Sequence, residues 1–218
     1  MRRVAAALCL AALAGGGCQY FRNQPDPSTD EGAWAAARNR YTASAKLYDG
    51  FTTRAFASAV YQGPEVRVTR IARVATWRGL PIEERQRMVK EERAQLDQYE
   101  EFLLAFFTTD RANNDLDTSR TIWRTTLEPV GEMGELVSTR IEQVRVDATL
   151  RMLYPEVGDF DTVYRVRFPR WPGEPLSGRP FTLKLSSALG RIDLEFTPYR
   201  PDAGAPPELG AGSASPAP

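Results

Sequence analysis

The sequence predicts a mainly β domain: an antiparallel β-sandwich, Ig-like or similar, of about eight strands, with a helical hairpin at 64–99. Three observations predict it. Runs of alternating apolar and polar residues recur along the chain and are separated by short clusters of turn formers, the pattern of half-buried strands. Asp49-Gly50 stands between two such runs, the strongest short-range hairpin signal. Gly63-Pro64-Glu65 and Gly79-Leu80-Pro81 bound two stretches of helical spacing, with proline where a helix tolerates it, at its first position.

In chain order, Trp34 to Arg38 predicts a helical turn, although the alanines around it leave open a helix running on towards Leu47. From Arg40 to Tyr61, Tyr41, Ala43, Ala45 and Leu47 share one face and Thr42, Ser44 and Lys46 the other. The first helix after this hairpin puts Val66, Ile71, Val74 and Trp77 on one side. The second runs from Pro81 to about Tyr99. It is expected to bury Ile82, Met88, Val89, Leu96 and Tyr99 and to wet Glu83, Arg87, Glu91, Arg93 and Asp97. Glu101 to Thr109 is apolar on both faces through Phe102, Leu103, Leu104, Ala105, Phe106 and Phe107, as in a central strand buried on both sides. Further strands are expected at Arg120 to Leu127, Glu135 to Val146 and Phe160 to Phe168, with one helical turn at Ala148 to Leu153. Two more are expected at Arg179 to Ser187 and Arg191 to Thr197, joined by Ala188-Leu189-Gly190.

Composition narrows the function. Lys+Arg and Asp+Glu are equal at 28 each. Loss of Arg2 and Arg3 with a leader would leave 26 against 28, a charge of −2, which argues against nucleic acid as partner. Nearly all the basic residues are arginine, which reads as compositional bias. No histidine is present, so Ser-His-Asp and Cys-His catalysis and histidine metal ligation are excluded. The only cysteines are Cys9 and Cys18. No cofactor is implied, and the chain is not expected to be an enzyme.

The N-terminus places the protein. Met1-Arg2-Arg3 precedes the unbroken apolar run Val4 to Ala14, then Gly15-Gly16-Gly17-Cys18. The run suits a signal-peptide core and is too short to span a bilayer. Small residues running into a lone cysteine resemble the bacterial lipoprotein signal, a resemblance confined to residues 1–18. It implies removal of 1–17, lipid on Cys18 and attachment to a membrane of the cell envelope. By the same resemblance Gln19, where an aspartate marks inner-membrane retention, implies the outer membrane. Gly15 stands where the family usually has leucine. A second reading is open: Ala12-Leu13-Ala14 is an ordinary cleavage site that would release a soluble protein. On the first reading 18–31 is a tether, 32–199 the domain, and 200–218, rich in Pro, Ala, Gly and Ser, a disordered tail.

Three motifs are candidates for function. Thr109 to Arg120 holds Asp110, Asn113, Asn114, Asp115 and Asp117. Asn113, Asp115 and Asp117 alternate as oxygen ligands could around calcium, but the central glycine and distal glutamate of a helix-loop-helix calcium hand are missing. The favoured reading is a connection made of turn formers, with no metal bound. Gly158-Asp159-Phe160-Asp161 adds carboxylates, and two carboxylates at the right separation hydrolyse glycosides. Trp171, in FPRWPGEPLSGRP, either stands out as a contact for an envelope protein or glycan or folds back on the sandwich edge. A lipid-anchored, non-enzymatic binding or structural module is therefore expected. A cell-wall glycan hydrolase is the alternative. A deep cleft holding two carboxylates would favour the hydrolase, and a filled sandwich the module.

Overall fold

The computed structural model describes residues 26, 28–173 and 175–197. The signal, most of the tether and the Pro/Ala-rich tail lie outside the described residues. The first helix, α1 (Asp30–Arg40), is longer than one turn and takes up the end of the expected tether. Thr29 caps it by accepting from the Gly32 amide at 3.1 Å, and acidic residues open it while arginines close it, as the helix dipole favours. The alanines do not carry it towards Leu47. From Thr42 the alternating run forms β1 (Thr42–Asp49), which turns at Gly50 into β2 (Thr52–Tyr61). Gly50 sits at φ 59, which glycine adopts without strain.

The helical hairpin is α2 (Pro64–Arg78) and α3 (Ile82–Leu96), hinged at Gly79 with φ 61. The remaining strands are β3 (Tyr99–Thr108), β4 (Arg124–Pro129), β5 (Leu136–Val137), β6 (Arg140–Val144), β7 (Thr162–Pro169), β8 (Phe181–Ser187) and β9 (Gly190–Phe196), with the short α4 (Ala148–Leu153) before β7. All strand pairs are antiparallel, in a five-stranded sheet ordered β1-β2-β3-β7-β6 and a four-stranded sheet ordered β5-β4-β8-β9.

The expected sandwich is present, and β3 is the central strand of the larger sheet. The run expected as one strand over 135–146 is bent. Ser138 donates to the Thr125 carbonyl of one sheet at 3.1 Å, and Thr139 to the Arg167 carbonyl of the other at 2.8 Å. The chain thus switches sheets at this corner, a known way to close a sandwich edge. At the other edge β1 meets β9, where Gly190 comes so near Leu47 that an added Cβ would lie 2.7 Å from its Cδ1.

Register fixes what each face buries. Phe102, Leu104 and Phe106 of β3 lie opposite Val166, Tyr164 and Thr162, and all three are fully buried towards the second sheet. Phe102 meets Tyr61, Phe168, Phe181 and Phe196 at ring centroid distances of 5.2, 5.7, 5.9 and 5.6 Å. Phe181 and Phe196 stack at 4.8 Å, and Phe106 meets Trp123 edge-on at 5.2 Å. The space between the sheets is therefore filled with rings and branched side chains. Trp123 closes one end of it; the strand expected over 120–127 starts only at Arg124, so Trp123 and the exposed Ile122 lie ahead of β4.

The helices lie over the opposite face of the larger sheet. Here three expectations give way. In α3 only Leu96 is buried; Ile82 is 66% exposed and Met88 and Val89 are partly exposed. The reason is the spacing. Ile82, Val89 and Leu96 recur every seventh residue, a seam narrower than the three or four apolar residues per two turns of a buried helix. Tyr99 belongs to β3 and stacks under the Arg167 guanidinium at 4.5 Å instead of ending α3. Trp77 is half exposed because α1 runs antiparallel to α2 and starts beside Thr76, so no described residue covers the next position.

Candidate functional site

Two surface recesses flank the five-stranded sheet. The first lies on its helix-covered side. It holds about 260 Å³ between β3, β6, β7, α2 and α4, and its lining includes Gln62, Arg70, Glu101, Arg145, Tyr154 and Arg165. The alternation of β7 puts Arg165 and Arg167 on one face. The register sets Glu101 directly opposite Arg167. Three guanidinium groups surround the Glu101 carboxylate: Arg167 Nε at 2.8 Å, Arg67 Nη2 at 3.4 Å and Arg165 Nε at 3.8 Å.

Arg67 is 1% exposed and reaches this point from the first turns of α2. Its Nε donates to the Gln62 carbonyl at 2.7 Å, and its Nη1 pairs with Glu92 of α3. Glu92 also holds Arg70. These pairs, more than apolar contact, fasten α3 to the domain. Desolvation works against the Arg70 charge, but Tyr154 and Glu92 more than offset it, so its pKa stands above the ordinary arginine value. Tyr154, 3% exposed, donates to Gln62 Oε1 at 3.0 Å, and Arg70 reaches the same oxygen at 3.3 Å. The rim of the recess carries Arg70, Arg145 and Arg165 against Glu101 and Asp147, an excess of one positive charge. Arg145 is exposed. The arrangement can receive an anionic group and a small apolar one, the latter against Leu150, Leu153 and Val144. Its volume is below the ~300–1,000 Å³ of ordinary ligand clefts, so it suits a side chain or a terminal group.

The second recess, about 220 Å³, opens where β3 ends and β7 begins, and there the topology brings the two acidic loops to one end of the sheet. Phe107, Thr108, Thr109, Arg111, Asn114, Phe160 and Thr162 line it; none of the carboxylates does. Asp110 caps a short 3-10 turn by accepting from the Ala112 amide at 3.0 Å, and the Asn113 side chain leans on Asp110. The Asn113 carbonyl accepts from Trp123 Nε1 at 2.7 Å. Asp115 accepts from Thr121 at 2.9 Å and Thr118 at 3.3 Å. Asn114 donates to the Phe106 carbonyl and accepts from the Tyr164 hydroxyl. Burial first, then Asp117 and Asp115, push that phenol up to about 12, so it stays a neutral donor. Asp159 pairs with Arg151, and Asp161 accepts from the Gly158 amide at 2.7 Å. Among the described residues no cluster of three acidic, Cys or His groups is spaced to hold a metal ion.

No family model matches this chain, and neither does any curated protein or solved structure.

Of the two readings of Trp171, the structure shows the folded-back one. The ring is 7% exposed and its Nε1 donates to Glu132 at 2.7 Å, while Arg179 pairs with the same carboxylate at 2.5 Å. An outward contact from this side chain is corrected accordingly. The arginine recess was missed by sequence reading, because its residues come from five separate elements. One signal was present: Arg165 and Arg167 alternate within an otherwise apolar strand, which marks one charged face.

Proposed function

We propose that the protein is a lipid-anchored lipoprotein of the cell envelope whose domain binds or braces a partner without catalysis. The observation that carries this reading is the filled interior. The rings of Tyr61, Phe102, Phe168, Phe181 and Phe196 occupy the space between the sheets, where a sandwich enzyme or carrier would keep a cavity. What remains for contact is surface, and the arginine-rimmed recess offers it the most chemistry. The lone cysteine after the short apolar run supports the anchor and, with Gln19, the outer membrane as its address. An envelope protein or glycan with an anionic group suits the recess.

Two measurements test the reading. Cys18→Ser should move the protein from the membrane pellet to the soluble or precursor fraction; unchanged pelleting, with no lipid on the mature peptide, overturns the anchor and leaves the soluble form cleaved after Ala14. The purified protein should release no soluble sugar from cell-wall glycan. Release that is lost in Asp115→Asn or Asp159→Asn would establish the carboxylate hydrolase instead.

A further inference from the structure

The tip of the helical hairpin carries an apolar surface that no element among the described residues covers. Trp77 is 49% exposed, Ile82 66% and Met152 of the neighbouring α4 52%, and Pro81 is exposed beside them in sequence. Of the four tryptophans Trp77 alone is exposed; Trp34, Trp123 and Trp171 stand at 0, 5 and 7%. A shallow hollow of about 220 Å³ lies under this patch, lined by Asp30, Glu31, Arg73, Thr76, Trp77 and Met152.

The position of the patch relative to the start of α1 is set by two contacts. Thr76 hydrogen-bonds Asp30, and Arg73 pairs with Glu31 at 2.5 Å. Both acids belong to the first turn of α1, so the hairpin tip sits where the chain enters the domain. Cys18 lies eight residues before Asp26. At ~3.3–3.6 Å per residue that chain spans at most about 29 Å. A domain of about 170 residues is about 40 Å across. A lipid on Cys18 therefore holds the tip side near the bilayer and keeps the opposite end of the sandwich away.

From this geometry we infer that the α2–α3 tip docks on the phospholipid surface that holds the anchor, with Trp77 at the headgroup level and Ile82 and Met152 beside it. The inference rests on the lipid-anchor reading. An amphipathic indole is suited to that layer. Arg78 can reach lipid phosphate, but Glu83 follows on the next turn. The contact is accordingly apolar in the main and should depend little on salt. Docked this way, the domain turns its hairpin towards the membrane, and the anchor and tip together fix its orientation.

The test is fluorescence of the full lipidated protein in vesicles of phosphatidylethanolamine and phosphatidylglycerol whose acyl chains carry bromine. Docking predicts loss of tryptophan emission relative to unbrominated vesicles, and this loss should disappear in Trp77→Phe. Ile82→Ser should weaken the quenching while the protein still floats with the vesicles. Protein that floats with vesicles but keeps full emission overturns the docking and leaves the anchor intact. Quenching that persists in Trp77→Phe overturns it too, because another tryptophan would then be the one in lipid. Full emission with dimers in detergent assigns the patch to a second copy of the chain instead. Protein that does not float at all removes the anchor, and the docking with it.

Discussion

Replacing Phe102 by alanine probes the filled interior at its hub. The side chain is fully buried, and its ring has four aromatic neighbours drawn from both sheets: Tyr61 of β2, Phe168 of β7, Phe181 of β8 and Phe196 of β9. Phe→Ala in a core costs about 3–5 kcal/mol, the spread reflecting how far the site can collapse. Collapse is resisted here, because each neighbour is held by a strand that pairs on at least one side. All four centroid distances fall in the ~4.5–7 Å window where ring pairs add ~0.5–1.5 kcal/mol beyond area. The upper part of the range, about 4–5 kcal/mol, is expected. With a urea slope near 2 kcal/mol/M for a domain of this size, the midpoint should fall by about 2 M. The assay is equilibrium urea unfolding followed by far-UV circular dichroism. A fall below about 0.5 M would refute the reasoning, since it would mean that the two sheets do not close on this ring.

Three further outcomes follow from named groups. Glu101→Gln leaves the buried Arg67 facing a neutral amide, although Glu92 still pairs with it; a loss of about 3 kcal/mol is expected in urea unfolding, and an unchanged midpoint would mean that the Glu101 ion pairs do not hold the domain together. Burial raises the Glu156 carboxyl above its ordinary 4.5, outweighing its own backbone amide and Arg38. A raised carboxyl contributes stability that is full below about 4.5 and is lost as pH rises through the folded value, so Glu156→Gln should be stabilising relative to the native residue near pH 8 and lose that advantage near pH 4. An equal difference at both pH values contradicts this assignment. Asp115 already accepts from two threonine hydroxyls, so melting in excess EDTA and in millimolar calcium should coincide. A rise of several degrees in calcium that Asp115→Asn and Asp117→Asn abolish would make the acidic end a calcium site.

How much of this was legible in the sequence depends on whether a feature is local. The Asp49-Gly50 hairpin, the proline that opens α2 and the doubly apolar β3 each follow from neighbouring residues, and the sandwich follows from their sum. The kink at Ser138–Thr139 did not announce itself, because both halves alternate alike and only the position of the two sheets shows where the chain must cross. Trp77 lies on the same side of α2 as Val66, as its spacing implies. Its exposure arises from where α1 begins, and that is set by Asp30 some 46 residues away. The arginine recess depends on contacts such as Arg67–Glu101 and Arg167–Glu101, whose partners are far apart in sequence and are brought together by the packing of α2 on the sheet in the first case and by strand register in the second. The abundance of arginine, which reads as bias in the composition, supplies the planar groups that share Glu92 and Glu101. Trp171 was open to either reading, because Glu132, the partner that draws it in, lies 39 residues upstream.

The mass of the mature protein purified from membranes tests the central claim most directly. Anchoring through Cys18 predicts a chain that begins at Cys18 and carries the mass of attached acyl groups, with the N-terminal peptide losing the mass of its ester-linked acyl chains on alkaline hydrolysis. An unmodified chain that begins at Gly15 would contradict it, and would make the protein a soluble exported domain.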